Sequence, residues 1–214
     1  MGKLRVFVVD DHAVVRQGLQ RLVDLEKDME TCGEASNAAE ALRDIPTCRP
    51  DVVLLDISLE GESGIELSKH IVKRWPQMAI LVLSMLEESL YAERALRAGA
   101  RGYIMKRESG PEIIAALRKV AGGKTFLSPA MAERFLDLFP KHSMRRSFLE
   151  SLSDRELEVF RMIGQGLKPA AIAQALHLSV KTVGTYREQI KTKLRLKSAA
   201  ELTQQAIALT HTRA

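Results

Sequence analysis

The stretch VVLLDISLEGESGIEL, residues 52–67, places an acid directly after a run of apolar residues. Val52–Leu55 are aliphatic without interruption, which is typical of a strand buried on both faces of a parallel sheet. After Asp56 the chain becomes polar and carries Gly61 and Gly64, which favour a loop. The stretch therefore predicts a buried strand that ends at a carboxylate.

Similar short apolar runs recur through the first half of the chain, with helical patterns between them. We predict strands at 4–9, 30–35, 52–55, 79–84 and 102–105, and helices near 12–25, 37–47, 64–74, 88–98 and 110–121. Five alternating strands and helices predict a doubly wound α/β fold with right-handed crossovers. We expect a flavodoxin-like five-stranded parallel sheet in the order 2-1-3-4-5.

Polar side chains follow four of these predicted strands. Asp10 and Asp11 follow the first strand, Asp56 the third, Ser84 ends the fourth, and Lys106 follows the fifth. Ligands of doubly wound sheets bind beyond the carboxyl ends of the strands. Because strands one and three are neighbours in this order, we expect three carboxylates to converge beside a hydroxyl and an ammonium group.

Three carboxylates at one place raise one another's pKa unless a positive charge compensates. A hard divalent cation with oxygen ligands and retained waters does so, and Mg²⁺ is the expected cofactor. One carboxylate is then free to act as a nucleophile and to form an aspartyl-phosphate. Lys106 would neutralise phosphoryl oxygens, and Ser84 would donate a hydrogen bond to one of them. We interpret His12 as a solvated helix-start residue rather than a ligand.

Charge divides the chain into two parts. Residues 1–122 hold 17 Lys/Arg and 19 Asp/Glu, a net of −2, and residues 123–214 hold 15 Lys/Arg and 8 Asp/Glu, a net of +7. A near-neutral first part and a basic second part indicate two domains, the second facing a polyanion. The chain has no apolar run near the ~20 residues of a membrane span, and its N-terminus lacks a secretory signal. Cys32 and Cys48 have no metal-like spacing, so we expect reduced thiols in a cytoplasmic protein.

The second half has helical patterns throughout. Ser153 with Glu156 three residues on is typical of a capping box. Helices are predicted at 169–176 and about 180–194, joined by a tight turn, with a last helix at about 198–209. The middle pair matches helix-turn-helix geometry, although any small helical hairpin shares that shape.

The two halves are joined by residues 122–150. Ser128 and Pro129 predict the cap and first residue of a short helix that runs to about residue 139. PKHSMRRS, residues 140–147, is polar and basic and is interpreted as a tether. We therefore expect domains at 1–121 and 151–214, with a linker at 122–150.

Residues 1–121 resemble the receiver domain of a two-component response regulator, through VVDDH at 8–12, LLDISLEGESGIEL at 54–67, VLSM at 82–85 and ALRAGARGYIMK at 95–106. The resemblance implies that a sensor histidine kinase phosphorylates Asp56. It assigns Mg²⁺ to Asp11, Asp56 and the carbonyl of Ser58, with Asp10 acting mainly through water, the switch to Ser84 and Tyr103, and the family's lysine to Lys106. Ser84 is expected to move toward the phosphoryl group, and Tyr103 to turn inward into the space it leaves.

The sequence departs from the receiver pattern beside the acceptor. The family often has Met-Pro where Leu59 and Glu60 stand, and often has Pro where Arg107 stands. None of these changes removes a reacting group. Glu60 adds negative charge near the site, which is expected to alter kinase docking or the lifetime of the phosphoryl group.

Residues 151–210 resemble a LuxR-type helix-turn-helix domain of NarL/FixJ-type regulators, through LSDRELEV at 152–159, IAQALHLSVKTV at 172–183 and I-x-x-KL at 190–194. The family often has Lys at Gly184 and His at Tyr186, so its operators do not transfer. Phosphates are assigned to Ser179, Thr182 and Lys193, and base edges to Thr185. The full set of expected DNA contacts is Ser179, Lys181, Thr182, Thr185, Tyr186, Arg187, Glu188, Lys191 and Lys193.

These observations predict a cytoplasmic DNA-binding transcription regulator that is controlled by phosphorylation and is not an enzyme beyond its own phosphorylation and dephosphorylation. The expected partners are double-stranded operator DNA, a sensor histidine kinase, a second copy of the chain and RNA polymerase, with no membrane. Two alternatives stay open: a Mg²⁺-dependent phosphotransferase or phosphatase, and a regulator that binds DNA regardless of phosphate.

Overall fold

The computed structural model describes residues 2–138, 149 and 151–211. The chain forms two compact units, residues 1–139 and residues 140–214. The first unit is an α/β domain and the second is all-helical. The predicted tether at 140–147 lies outside the described residues.

The first unit is built on a five-stranded parallel sheet. Its strands are β1 (Leu4–Val9), β2 (Met29–Ala35), β3 (Val52–Leu55), β4 (Ala79–Ser84) and β5 (Gly102–Met105). Their order is β2-β1-β3-β4-β5, as predicted. All pairs are parallel, and the β1–β2 pair shifts register between Val6 and Phe7.

Five helices cover the sheet: α1 (Ala13–Asp24), α2 (Ala38–Cys48), α3 (Gly64–Arg74), α4 (Glu88–Arg97) and α5 (Gly110–Ala121). The side chain of Asn37 caps α2 by accepting the Glu40 amide N–H at 3.0 Å. The Glu40 carboxylate in turn accepts from the amide and hydroxyl groups of Ser36, the residue before the cap. Pro46 lies inside α2, close enough to its end that little helix follows the missing N–H.

The core explains why β3 and most of β1 and β4 are apolar. Every residue of β3 and β4 is buried, and so are the last four residues of β1. Helices lie on both faces of a parallel sheet, so neither face of these strands meets water. The polar residues that follow the strands therefore mark the edge where the core ends.

The first unit continues past α5 into a short segment and one more helix, α6 (Pro129–Leu138). Ser128 caps α6 as predicted, accepting the Met131 amide N–H at 3.1 Å. Met131 is buried. Part of the predicted linker is therefore packed into the first unit.

The second unit consists of α7 (Asp154–Gly164), α8 (Pro169–Ala175), α9 (Val180–Lys193) and α10 (Ala199–His211). Ser153 and Glu156 form the predicted capping box of α7. His177 takes a φ of 52° in the turn between α8 and α9, where the chain reverses within four residues. Among the described residues, no helix is long and apolar enough to cross a membrane.

Candidate functional site

Strand pairing brings Asp10 and Asp56 together. β1 and β3 pair in parallel with Val9 opposite Leu55, so the residue after each strand lies at the same edge of the sheet. The Asp56 amide N–H donates to the Val9 carbonyl at 2.9 Å and extends the pairing by one residue. Both carboxylates are buried, with Asp10 1% and Asp56 3% exposed. The two carboxylates that were predicted to follow neighbouring strands therefore lie at the same edge of the sheet.

The loop after Asp56 depends on a glycine at its return. The Gly64 amide N–H donates to the Ile57 carbonyl at 2.8 Å, which folds α3 back against the end of β3. A Cβ at Gly64 would lie 2.0 Å from the Asp56 carbonyl oxygen. No side chain fits there, so Gly64 fixes the backbone that presents Asp56. The sequence showed a glycine in a loop but not this close approach.

Lys106 joins the two buried acids. Its Nζ lies 2.5 Å from Asp10 Oδ2 and 2.7 Å from Asp56 Oδ2. Its backbone N–H donates to the Ser84 carbonyl at 2.9 Å, which continues the β4–β5 pairing. One ammonium group thus compensates the two carboxylates that the fold removes from water.

Burial sets the charge balance of this group. It raises the pKa of Asp56 to about 6, and Asp10 adds to the rise, while Lys106 and the Ser58 amide lower it. Burial lowers the pKa of Lys106, but Asp56 and Asp10 outweigh it, and the net shift is upward. Lys106 is therefore a fixed cation, whereas Asp56 gains its proton near neutrality.

The raised pKa of Asp56 predicts a pH dependence. Without a divalent cation, we expect the Asp56 carboxylate to protonate with a midpoint near pH 6. The pKa of Asp56 is higher in the folded than in the unfolded chain, so protonation of Asp56 stabilises the folded state. This contribution is fully present below about pH 4 and is lost as the pH rises through 6. Carbon-13 NMR of the Asp56 carboxyl, assigned by its loss in Asp56→Asn, measures the midpoint. A midpoint near 4 would contradict the burial that the structure gives this side chain.

The acid group fits a divalent cation. Among the described residues, Asp56 Oδ1 is buried and accepts no hydrogen bond of good geometry. Ligand atoms of Asp10, Asp11, His12 and Asp56 all lie within 4.8 Å of one another. Carboxylate oxygens are the donors that Mg²⁺ prefers. The His12 side chain is 65% exposed, in line with the expectation of a solvated residue, and its Nδ1 lies 2.6 Å from Asp11 Oδ1.

The predicted switch residues both bond to the backbone of one residue, Leu86. Ser84 and Tyr103 are both fully buried. Ser84 Oγ accepts the Leu86 amide N–H at 3.1 Å, and the Tyr103 hydroxyl donates to the Leu86 carbonyl at 2.7 Å. Tyr103 already lies inward in this structure, where the sequence predicted that it would turn inward. Leu86 was not predicted, because its backbone rather than its side chain makes both contacts.

The predicted DNA contacts lie on and beside α9. Lys181, Thr185, Glu188 and Lys193 are exposed, whereas Thr182, Tyr186, Arg187 and Lys191 are half-buried. Ser179 caps the helix by accepting the Thr182 amide N–H at 3.0 Å, and the two hydroxyls lie 2.7 Å apart. The Thr185 hydroxyl donates to the Lys181 carbonyl at 3.2 Å. The chain thus presents cations and hydroxyls on one helix.

Two of the predicted basic contacts have acidic partners. Lys193 Nζ lies 2.6 Å from Glu156 Oε2, and Lys191 Nζ lies 2.8 Å from Glu188 Oε2. The same Glu156 oxygen accepts the Ser153 amide N–H at 2.6 Å. Glu156 therefore ties the start of α7 to the end of α9. Sequence reasoning gave Glu156 a capping role only, because Lys193 lies 37 residues away.

Two family descriptions match this chain. "Response regulator receiver domain" matches residues 6–118, and "Bacterial regulatory proteins, luxR family" matches residues 150–206. The first contains the acid group and Lys106, and the second contains α7, α8 and α9. The matches agree with both resemblances drawn from the sequence.

Relatives match over nearly the whole length. The Oxygen regulatory protein NreC of Staphylococcus epidermidis is 35% identical over 211 residues, which cover 95% of this chain and 97% of that protein. A LuxR-family two-component response regulator from Aurantimonas sp. SI85-9A1 is 32% identical, with a TM-score of 0.61, over 65% of this chain and 100% of that one. The RcsB response regulator of Salmonella typhimurium shares the fold at 23% identity, with a TM-score of 0.58, over 97% and 100% of the two chains.

Proposed function

We propose that this chain, which belongs to the response regulators that join a receiver domain to a LuxR-type helix-turn-helix domain, is switched by Mg²⁺-dependent phosphorylation of Asp56. The observation that carries the proposal is the buried Asp56 carboxylate, held by Lys106 at 2.7 Å with its second oxygen unpaired among the described residues. A structural ion pair alone would not require that second oxygen to stay without a hydrogen bond. A reactive carboxylate does require a free oxygen.

The proposed reaction is phosphoryl transfer from a histidine of a sensor kinase. A carboxylate oxygen of Asp56 attacks phosphorus, the P–N bond breaks, and the histidine nitrogen takes back the electron pair of that bond. Asp56 then carries an acyl phosphate. Loss of the group to water by attack at phosphorus restores the carboxylate and releases inorganic phosphate. In this scheme the chain turns over only its own modification, so we propose no activity on external substrates.

The residues around Asp56 would hold the metal ion and contact the phosphoryl oxygens. Asp10, Asp11, Asp56 and the carbonyl of Ser58 would hold Mg²⁺, which supplies positive charge to the phosphoryl oxygens when bound. Lys106 supports the transfer with a second fixed cation, because the neighbouring carboxylates keep it protonated. Ser84 Oγ currently accepts from Leu86, so its own proton is available to a phosphoryl oxygen.

The output proposed for the second unit is control of transcription in the cytoplasm. Lys181, Thr185 and Arg187, together with Ser179, Thr182, Tyr186, Glu188, Lys191 and Lys193, would face double-stranded operator DNA. Phosphorylation would favour a DNA-bound dimer, in which two copies read two half-sites. A sensor histidine kinase would act upstream and RNA polymerase downstream.

The test is the effect of phosphorylation on DNA affinity. A selected operator is titrated with the full chain, with and without Mg²⁺ and a small phosphodonor such as acetyl phosphate, at fixed ionic strength. We expect the dissociation constant to fall at least about tenfold, which corresponds to roughly 1.4 kcal/mol of coupling. Equal affinity in both states would favour the regulator that ignores phosphate. Multiple turnover of the phosphodonor without operator binding would favour the phosphatase.

A further inference from the structure

The segment between α5 and α6, residues 124–128, lies along the open edge of the sheet, and we call it the strap. The Phe126 amide N–H donates to the Arg101 carbonyl at 3.0 Å, and the Phe126 carbonyl accepts the Tyr103 amide N–H at 3.0 Å. These bonds form a parallel bridge with Gly102 of β5. Lys119 Nζ lies 5.4 Å from the Phe126 ring centre and packs over it. The strap is therefore bonded to the backbone of Tyr103 itself.

The end of the strap is fixed by a second contact, to α4. Both donors of Ser128 reach the Glu88 carboxylate: the amide N–H at 3.0 Å and the hydroxyl at 2.5 Å. The Ser128 hydroxyl oxygen also accepts the Met131 amide N–H in the first turn of α6. One serine thus connects the start of α4 to the start of α6.

Glu88 lies two residues after Leu86, whose backbone bonds to both Ser84 and Tyr103. The Leu86 N–H and carbonyl are both held by those two buried side chains. Glu88 is the first residue of α4, so a shift of the loop at 84–87 displaces its carboxylate directly. The strap is thereby attached at its middle, through Phe126, to Tyr103 and at its end, through Ser128, to Glu88.

We propose that Glu88 is a positioning residue that, through Ser128, transmits the state of Ser84 and Tyr103 to α6. This inference rests on the proposed switching of Asp56. Hydrogen bonds to a carboxylate are short and strong compared with those between neutral groups, so the start of α6 follows Glu88. A movement that begins beside Asp56 then reaches the chain leading toward the DNA-binding unit by covalent continuity. The hydrogen bond from the Tyr103 amide N–H to the Phe126 carbonyl holds the middle of the strap in place, so that a shift of Ser128 reorients α6.

The experiment compares full-length Glu88→Ala with the wild type and with Glu66→Ala. Glu66 is a matched control, because it occupies the first turn of α3 and its carboxylate pairs with the exposed Lys69. Each protein is phosphorylated with acetyl phosphate and Mg²⁺, and intact mass gives the extent. The ratio of operator dissociation constants without and with the phosphodonor measures the coupling. Ser128→Ala and the double variant complete a cycle, and Ser128→Thr tests rescue by a retained hydroxyl.

We expect Glu88→Ala to take up phosphoryl groups to the wild-type extent while its affinity ratio falls at least about fivefold. The affinity ratio of Ser128→Ala should fall by a similar factor, and that of the double variant should fall no further than in either single variant. Ser128→Thr and Glu66→Ala should keep the wild-type ratio. A wild-type ratio in Glu88→Ala overturns the inference and leaves the proposed function standing. A wild type that takes up no phosphoryl group, or gains no affinity when it does, overturns both.

Discussion

We expect Asp56→Asn to take up no phosphoryl group from acetyl phosphate and Mg²⁺, whereas the wild type should gain one. The expected loss is complete, because the amide has no free electron pair on an anionic oxygen with which to attack phosphorus. The substitution changes little else in size, and Lys106 keeps Asp10 as a partner at 2.5 Å. Intact mass after a timed incubation gives the result directly. The operator affinity of this variant should also stop responding to the phosphodonor.

The control is Asp51→Asn. Asp51 precedes the other end of β3 and is exposed, and its carboxylate accepts the Arg5 amide N–H at 2.8 Å. It is an acid beside the same strand but far from the carboxyl edge, so it should be phosphorylated like the wild type. A phosphoryl group on Asp56→Asn would place the acceptor elsewhere and refute the assignment.

Gly64→Ala is expected to destabilise the first unit by about 3 kcal/mol and to abolish phosphorylation. The added methyl group would begin 2.0 Å from the Asp56 carbonyl oxygen, a separation that no packing tolerates. A Cβ and a backbone carbonyl oxygen cannot rotate away from each other as side-chain atoms can. The loop at 57–63 must therefore move, and Asp56 must move with it. Urea unfolding measures the loss of stability. Intact mass after incubation with the phosphodonor, under conditions in which the variant is folded, measures the loss of phosphorylation.

Gly18→Ala is the matched comparison for this substitution. Gly18 lies in α1, is exposed, and would meet nothing within 4 Å of its new methyl group. Alanine is the better helix former, so this variant should gain about 0.5–1 kcal/mol of stability and keep its phosphorylation. If Gly64→Ala had the stability of the wild type, the loop after Asp56 would accommodate a methyl group at residue 64, and the close approach at Gly64 would not be required.

The fold followed from the sequence because its cause is local. Buried parallel strands need aliphatic residues on both faces, and residues 52–55 and 79–83 supply them without interruption. Polar residues then mark where each strand leaves the core. From the strand ends alone, Asp10, Asp56 and Lys106 were predicted to meet, and Lys106 Nζ lies within 2.7 Å of both carboxylates.

The contacts that escaped prediction are made by backbone groups or between distant residues. The strap pairs with β5 through the peptide groups of Phe126, and KTFLS has no strand pattern that would reveal it. Leu86 contacts Ser84 and Tyr103 through its backbone N–H and carbonyl. Glu88 meets Ser128 across 40 residues. No periodicity in a single sequence encodes such pairs, because only the folded geometry decides which polar groups face each other.

The ion pairs beside α9 affect how DNA binding responds to salt. Lys191 and Lys193 already have carboxylates at 2.8 and 2.6 Å, so part of their charge is neutralised before a phosphate approaches. A protein that neutralises DNA phosphates releases condensed counterions, and the logarithm of its affinity falls by about 0.9 per neutralised phosphate for each unit in the logarithm of salt concentration. Pre-paired lysines release fewer counterions. Operator binding should therefore tolerate rising ionic strength better than the 15 basic residues between 123 and 214 suggest.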